Sequence, residues 1–372
     1  MMLSLEYFSR YRKVAILSTS NGLCRRKYRL GLIYYSVNAL KSEICRLAPN
    51  VQVDMLDSKS SDELDVRCVY DAKNADYDAI VMMNHTSTFF AGTLPKPFRD
   101  CIMFLNGYNG DVWWCYDTPA YFPTKTHVDL IRHYGKYSYK PYNAELSKML
   151  EDKSFVSSLD NIDNRINIIS DIGIEDIPQC LIDATSYSRQ TFDRISKTFY
   201  VKSNTNKAIG TLYHSKNAWN NKKYDICLAF NYDNYRFSLS KKYVDDKSIS
   251  IASLRHSPGD SFACKVHVEP RIHNIEKYYE WLEENCYASL LVTTRNHLSC
   301  LVPERFYGVF NAYVVGFIPI ECDPEKKWIS KSSELAKFSY VLSKDELVDK
   351  LSLIKDKSFF DHIVSLQRKE IQ

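Results

Sequence analysis

The side chain best placed to do chemistry is Asp117, within DVWWCYDTPAYFP (111–123). It follows an apolar run and precedes Thr118 and Pro119, a pattern that puts it at the carboxyl end of a strand. A carboxylate there can take the proton of an attacking hydroxyl, which is a poor nucleophile until that proton has somewhere to go. It can equally cap the next turn. Arg236, in FNYDNYRFS after another apolar run, offers a guanidinium able to grip phosphate oxygens bidentately, or a plain surface charge. Asn84, His85, Thr86, Thr88 and Phe89 follow a run that ends at Met83 and could line a polar pocket. Phe90, Trp113, Trp114, Tyr116 and Tyr121 add rings for stacking, although strand positions make Trp113 and Trp114 better core residues. Two cationic clusters, Arg25, Arg26, Lys27 and Arg29, then Lys125 to Lys140, can track a phosphate backbone or face solvent. Cys264, His267 and His273 hint at metal ligands. However, the alternation of FACKVHV is that of a strand and no fourth ligand accompanies them, so no metal site is expected.

These residues need elements to carry them. KVAILS (13–18), VQVDML (51–56), DAIVMM (78–83), DVWWCY (111–116) and RINIIS (165–170) are short β-prone runs, with a helical stretch over about 27–47. A polar, Asn/Lys/Ser-rich segment then reads as a linker over 204–223. A second set follows: YDICLAF (224–230), ISIASL (249–254), CKVHV (264–268), ASLLVT (288–293) and GFIPIE (316–321) as strands, with helices over 275–285 and from Pro303, where a missing N–H costs nothing. Ser343 with Glu346 three residues on forms a capping box opening another helix, and the last stretch is amphipathic. β-runs alternating with helices predict an α/β protein of two doubly wound, Rossmann-like domains. The expected domains are 1–203, then 224–342 after the linker, then C-terminal helices over 343–372. Ligands should sit outside the carboxyl ends of the strands, in a cleft between the domains.

The chain's 372 residues are too many for one ordinary core and fit two domains. Hydrophobic content of 45% and charged content of 25% are those of a globular protein. No apolar run approaches the ~18 residues needed to span a bilayer, and the first residues carry charges in the wrong places for a secretory signal. The 11 Cys are odd in number and include no CxxC pair, which suits reduced thiols. The expectation is a soluble intracellular monomer.

Several segments resemble the T-even phage DNA β-glucosyltransferases in order and spacing: DYDAIVMMNHTSTFFAG (76–92), DVWWCYDTPAYFP (111–123), INIISDIGIEDI (166–177), YDICLAF (224–230) and the stretch from Ala288 onward. NHTSTFFAG and YDTPAYFP are the most specific. The resemblance implies a GT-B fold, in which two Rossmann-like domains face a central cleft and the C-terminal helix packs back on the first. It implies a UDP-sugar donor and an acceptor of double-stranded DNA carrying 5-hydroxymethylcytosine, flipped out of the helix. It also implies transfer with inversion in the cytoplasm of an infected bacterium. The sugar would be glucose or a pentose such as arabinose.

Asp117 would be the general base. The family has two arginines in the loop after the second domain's first strand; here only Arg236 is present, offset by one, and Lys241 or Arg255 would supply the second cation. On the helix from Pro303 the family has Arg and Glu three apart. Those positions fall on Gly308 and Asn311, and Arg305 one turn earlier could replace the arginine. Pro270, Arg271 and Ile272 would meet the uracil, and Thr294 would lie in the next loop of the donor site. Ser18 and Gly22, in STSNGL, would belong to the loop over the sugar; the family's nearby glutamate has no counterpart among Arg25, Arg26, Lys27 and Arg29. Asn84, His85, Thr86, Phe89 and Tyr121 would shape the pocket for the flipped base. Mg²⁺ would fit a diphosphate in an open cleft, though no motif calls for it. Two other readings stay open: a GT-B enzyme acting on a small molecule or glycan, and an inactive GT-B protein that binds DNA.

Overall fold

The computed structural model describes residues 2–18, 32–56, 76–84, 107–116, 148, 151–163, 166–170, 200–202, 205–217, 219, 221–228, 234–254, 262–264, 266–270, 272, 274–293 and 302–372. The chain forms two units, 1–205 and 206–372.

The first unit is built on a parallel sheet of β1 (Met2–Leu3), β2 (Lys13–Ser18), β3 (Gln52–Leu56), β4 (Ala79–Asn84), β5 (Asp111–Tyr116), β6 (Ile166–Ser170) and β7 (Tyr200–Lys202). Their order in the sheet is β1-β7-β6-β5-β4-β2-β3. From β2 the chain steps outward to β3, then crosses back past β2 to β4 and continues the other way. The order therefore reverses between β2 and β4, which makes their carboxyl ends a topological switch point. Helix α1 (Leu32–Leu47) buries Leu40 and Ile44 against Val14, Ile16 and Val53, and α2 (Lys153–Asp163) buries Phe155. A 3-10 turn over Leu5–Arg10, which has no period to announce it, puts Leu5 and Phe8 into the same core.

The second unit contains β8 (Tyr224–Leu228), β9 (Ile251–Ser253), β10 (Val266–Val268), β11 (Cys286–Leu290), β12 (Val315–Pro319) and β13 (Tyr340–Val341), all parallel. Their order is β10-β9-β8-β11-β12-β13. This is the dinucleotide-fold order 3-2-1-4-5-6, with its switch between β8 and β11. All five residues of β8 and of β12 are buried, as expected of parallel strands covered on both faces. The covering helices are α3 (Thr205–Gly210), α4 (Asn234–Val244), α5 (Ile275–Asn285), α6 (Glu304–Asn311), α7 (Ser333–Ser339), α8 (Lys344–Leu353) and α9 (Lys357–Ile371). The expected cap at Ser343 is present, its Oγ accepting from the Glu346 N–H at 3.2 Å. Glu346 reaches back to the Leu342 N–H, one residue earlier than the usual box.

One expectation needs correction. The segment 204–223 is not a free linker: it opens with α3 and buries Ile209, Tyr213 and Lys222 in the second unit. Its polar composition concealed side chains that are satisfied internally. The last helix packs in the second unit's core. Its stripe of Phe360, Ile363, Val364, Gln367 and Ile371 is buried there, and Gln367 bonds the backbone of β12 and its approach, accepting from the Gly316 N–H (2.7 Å) and donating to the Val314 carbonyl (2.8 Å). Among the described residues no helix is long and apolar enough to cross a membrane.

Candidate active site

Parallel pairing fixes which residues share the carboxyl edge of the first sheet. Ser18 lies opposite Met83, and Asn84 lies opposite Tyr116, which lies opposite Ser170. Ser18 and Asn84 thus end the two strands that flank the switch point, and β5, next to β4, ends at Tyr116, the residue before Asp117. Asp117 itself lies outside the described residues, as do Gly22, Arg25, Arg26, Lys27, His85, Thr86, Phe89 and Tyr121. Trp113 is fully buried. Its Nε1 donates to the Tyr11 hydroxyl at 2.9 Å, and that hydroxyl donates to Asp111 at 2.6 Å. Trp113 is therefore a core residue rather than a stacking platform. The Tyr11 phenol is pushed far up by burial and by Asp111, and stays protonated.

In the second unit β8 leads to α4, so the amino end of α4 stands at the switch point with the positive end of its dipole. Arg236 is half-buried in the first turn of α4, on a helix rather than in a loop. An anion there would meet a guanidinium and a helix terminus together. Lys241, considered as the second cation, is in the last turn of α4 near Asp245 (3.9 Å) and does not join Arg236. Arg255 and Thr294 lie outside the described residues. Ile272 packs on the second core.

After β11, Leu291, Val292 and Thr293 are buried. Thr293 hydrogen-bonds the Cys322 thiol through both its backbone and its hydroxyl, yet burial dominates and pushes that thiol up to about 11. Cys322 is a protonated spectator, not a nucleophile. Cys264 is also buried, its thiol 3.5 Å from the Val244 carbonyl, and His267 packs against the Tyr224 ring. Among the described residues no group of three His, Cys, Asp or Glu side chains could hold a metal ion.

Helix α6 begins after Pro303, beside the switch point. Arg305 is half-buried there. Gly308 is covered by Tyr279 of α5: a Cβ at Gly308 would fall 2.0 Å from the Tyr279 Oη and Cζ, so no side chain larger than hydrogen fits. Tyr279 is itself buried, which drives its phenol well above the usual range. Asn311, expected to meet a ribose, spends its amide on the chain itself: Nδ2 donates to the Tyr213 carbonyl at 2.6 Å. Sequence reading missed Tyr279 and Tyr213. The signal was Gly308 itself, since a glycine inside a helix often marks a close approach.

Two parallel α/β units, each with a switch point at its carboxyl edge, define the GT-B class of fold. Within that class the protein is similar to solved structures of T4 phage β-glucosyltransferase. One is a mutant in complex with UDP-glucose (TM-score 0.60, 16% identity), and another is the enzyme in complex with UDP and Mn²⁺ (TM-score 0.61, 16% identity). A third, described as a DNA-modifying enzyme with and without uridine diphosphoglucose, gives a TM-score of 0.61 at 15% identity. Each match covers 96% of this chain and 94% of the other. No protein-family model matches the sequence, and no curated protein matches it.

Proposed function

We propose that the protein transfers a sugar from a UDP-sugar, with inversion, to the hydroxymethyl group of 5-hydroxymethylcytosine in double-stranded DNA, within an infected bacterial cell. The observation that carries this reading is the agreement with T4 phage β-glucosyltransferase over nearly the whole of both chains. Such coverage spans both units rather than a single nucleotide-binding domain.

In this reading the hydroxymethyl oxygen attacks the anomeric carbon as the bond from that carbon to the β-phosphate oxygen breaks. The hydroxyl proton passes to the Asp117 carboxylate, and UDP leaves. A single displacement inverts the anomeric centre. Charge develops on the leaving diphosphate, where Arg236 and the amino end of α4 would stabilise it. A divalent ion, as in the complex of the T4 enzyme with Mn²⁺, would add to that neutralisation. Asn84 and the residues after it, at the first sheet's switch point, are proposed to hold the flipped base. The first unit is proposed as the DNA-binding part, acting as a monomer.

Gly308 and Asn311 favour a nucleoside contact unlike that of the T-even enzymes, because Tyr279 closes one position and the Tyr213 carbonyl holds the other. That keeps a donor other than UDP-glucose, and an inactive DNA-binding protein, as the second reading. One experiment separates them. Hydroxymethylcytosine DNA is incubated with the protein and a panel of UDP-sugars, and its nucleosides are analysed by mass. The proposal expects a mass increase of one hexose or pentose on hydroxymethylcytidine. Unchanged nucleosides, with DNA binding that falls steeply with salt, would support the inactive reading. Transfer to a small hydroxyl acceptor without DNA binding would support a small-molecule enzyme.

A further inference from the structure

The stretch 206–217 looks like a connector but is bound to both ends of α6. At the end of α3, a Cβ on Gly210 would meet Tyr307 Cβ at 2.4 Å, and the Glu304 carbonyl and Gly308 N at 2.7 Å. The backbone of α3 therefore rests directly on the first turns of α6. Three residues on, the Tyr213 carbonyl takes the Asn311 amide from the last turn of α6.

The strap is itself anchored. The Tyr213 and Ser215 hydroxyls donate to Glu283, which is 1% exposed, at 3.1 and 2.7 Å. Arg368 of α9 donates to Ser215 (2.8 Å) and Asn217 (2.5 Å). On another side of α6, Tyr279 fills the space above Gly308. Because α6 starts beside the β8/β11 switch point, anything that shifts it shifts the walls of a ligand bound there.

We propose that residues 206–217 form a positioning strap for donor binding. Gly210 and Asn311 set the place of α6, and so the affinity for the UDP moiety, without touching it. This rests on the donor reading above and deepens it. It gives Asn311 a role through α6 rather than as a ribose ligand.

The test titrates the full-length protein with UDP and measures DNA affinity in parallel. Gly210→Ala forces backbone apart and is expected to weaken UDP binding roughly tenfold or more, since misplacements of about 1 Å can cost ~10²-fold. DNA affinity should be unchanged, and donor KM should rise more than kcat falls. A folded Gly210→Ala protein that binds UDP as the wild type does overturns the proposal. If that variant does not fold, Asn311→Ala removes only one hydrogen bond and is read the same way. In the unaltered protein, UDP should slow amide exchange over 207–213 together with α6; protection of α6 alone overturns the proposal. A wild-type protein that binds no UDP at all sinks the donor reading first, a result distinct from wild-type binding that the variants leave intact.

Discussion

The two sheets share one plan but are pinned differently. The first is held at its amino edge by charges in partial contact with water. Asp78 takes the Arg12 and Lys13 N–H groups at 2.7 and 2.9 Å, Tyr77 donates to Asp54 at 2.8 Å, and Lys13 stands 3.9 Å from Asp54. The second is held by buried polar side chains on its helices. Gln367 pairs with β12, Glu283 takes Tyr213, Ser215 and the Tyr313 N–H, and Glu370 takes the N–H groups of Ser330, Lys331 and Ser332. Exposed ion pairs contribute about 0–1 kcal/mol each, whereas orphaning a buried polar group costs about 1–3 kcal/mol. Among the described residues, the difference teaches that the second unit carries more buried polar anchoring, including the bonds from 206–217 to α6, and that the first sheet's amino edge can be altered at lower cost.

The sharpest test of that contrast is chemical. Asp117→Asn, after a strand of the first sheet, is expected to abolish transfer while UDP binding, proposed for the second unit, stays near wild type. Nucleoside mass analysis and UDP titration read the two halves separately, and retained turnover would remove Asp117 from the mechanism. Arg236→Ala should show the reverse pattern. Donor binding and transfer should fall together, by about 10²-fold, as for loss of one stabilising donor, while DNA affinity holds.

On stability, Gln367→Ala leaves a backbone N–H and a carbonyl unpaired in the second core, and should cost about 2–4 kcal/mol. Tyr11→Phe leaves the buried Trp113 Nε1–H unpaired in the first, and takes one bond from Asp111, whose side chain water reaches; it should cost about 1–2 kcal/mol. Denaturant unfolding of the two variants checks the order, and a larger cost for Tyr11→Phe would break the comparison.

The smallest effect is in pH. Lys222 is buried, donating to the Glu283 and Tyr313 carbonyls, and burial lowers its amine to about 8. The unfolded chain, with an ordinary lysine near 10.4, binds that proton more readily. The cost is full below pH 8 and fades as pH rises towards 10, so stability from this group rises with pH across that window. Lys222→Met should lack that slope, which parallel melting curves at pH 8 and 9.5 would show.

Most strands and the longer second-unit helices were legible because parallel strands buried on both faces read as short β-branched runs, and because Ser343 and Pro303 mark helix starts. The two- and three-residue strands β1, β7 and β13 were not legible, having no apolar run around them long enough to read. Of the candidate site, the strand ends at Ser18 and Tyr116 were legible as ends, whereas β4 runs one residue past the Met83 end that the sequence suggested, to Asn84. That Arg236 stands on a helix was hidden, because FNYDNYRFS is rich in turn-formers and α4 has little apolar asymmetry.

What the sequence determined by itself was the alternation of elements and the places where strands stop, since both follow from local side-chain type and spacing. Tertiary structure alone decided the strand orders, and with them where the switch points fall. It also decided that a polar connector is a strap, that Tyr279 closes the space over Gly308, and that Asn311 serves the Tyr213 carbonyl. Those are contacts between residues from 29 to 98 positions apart. No local pattern encodes them, because each partner is satisfied only once the chain has folded back on itself.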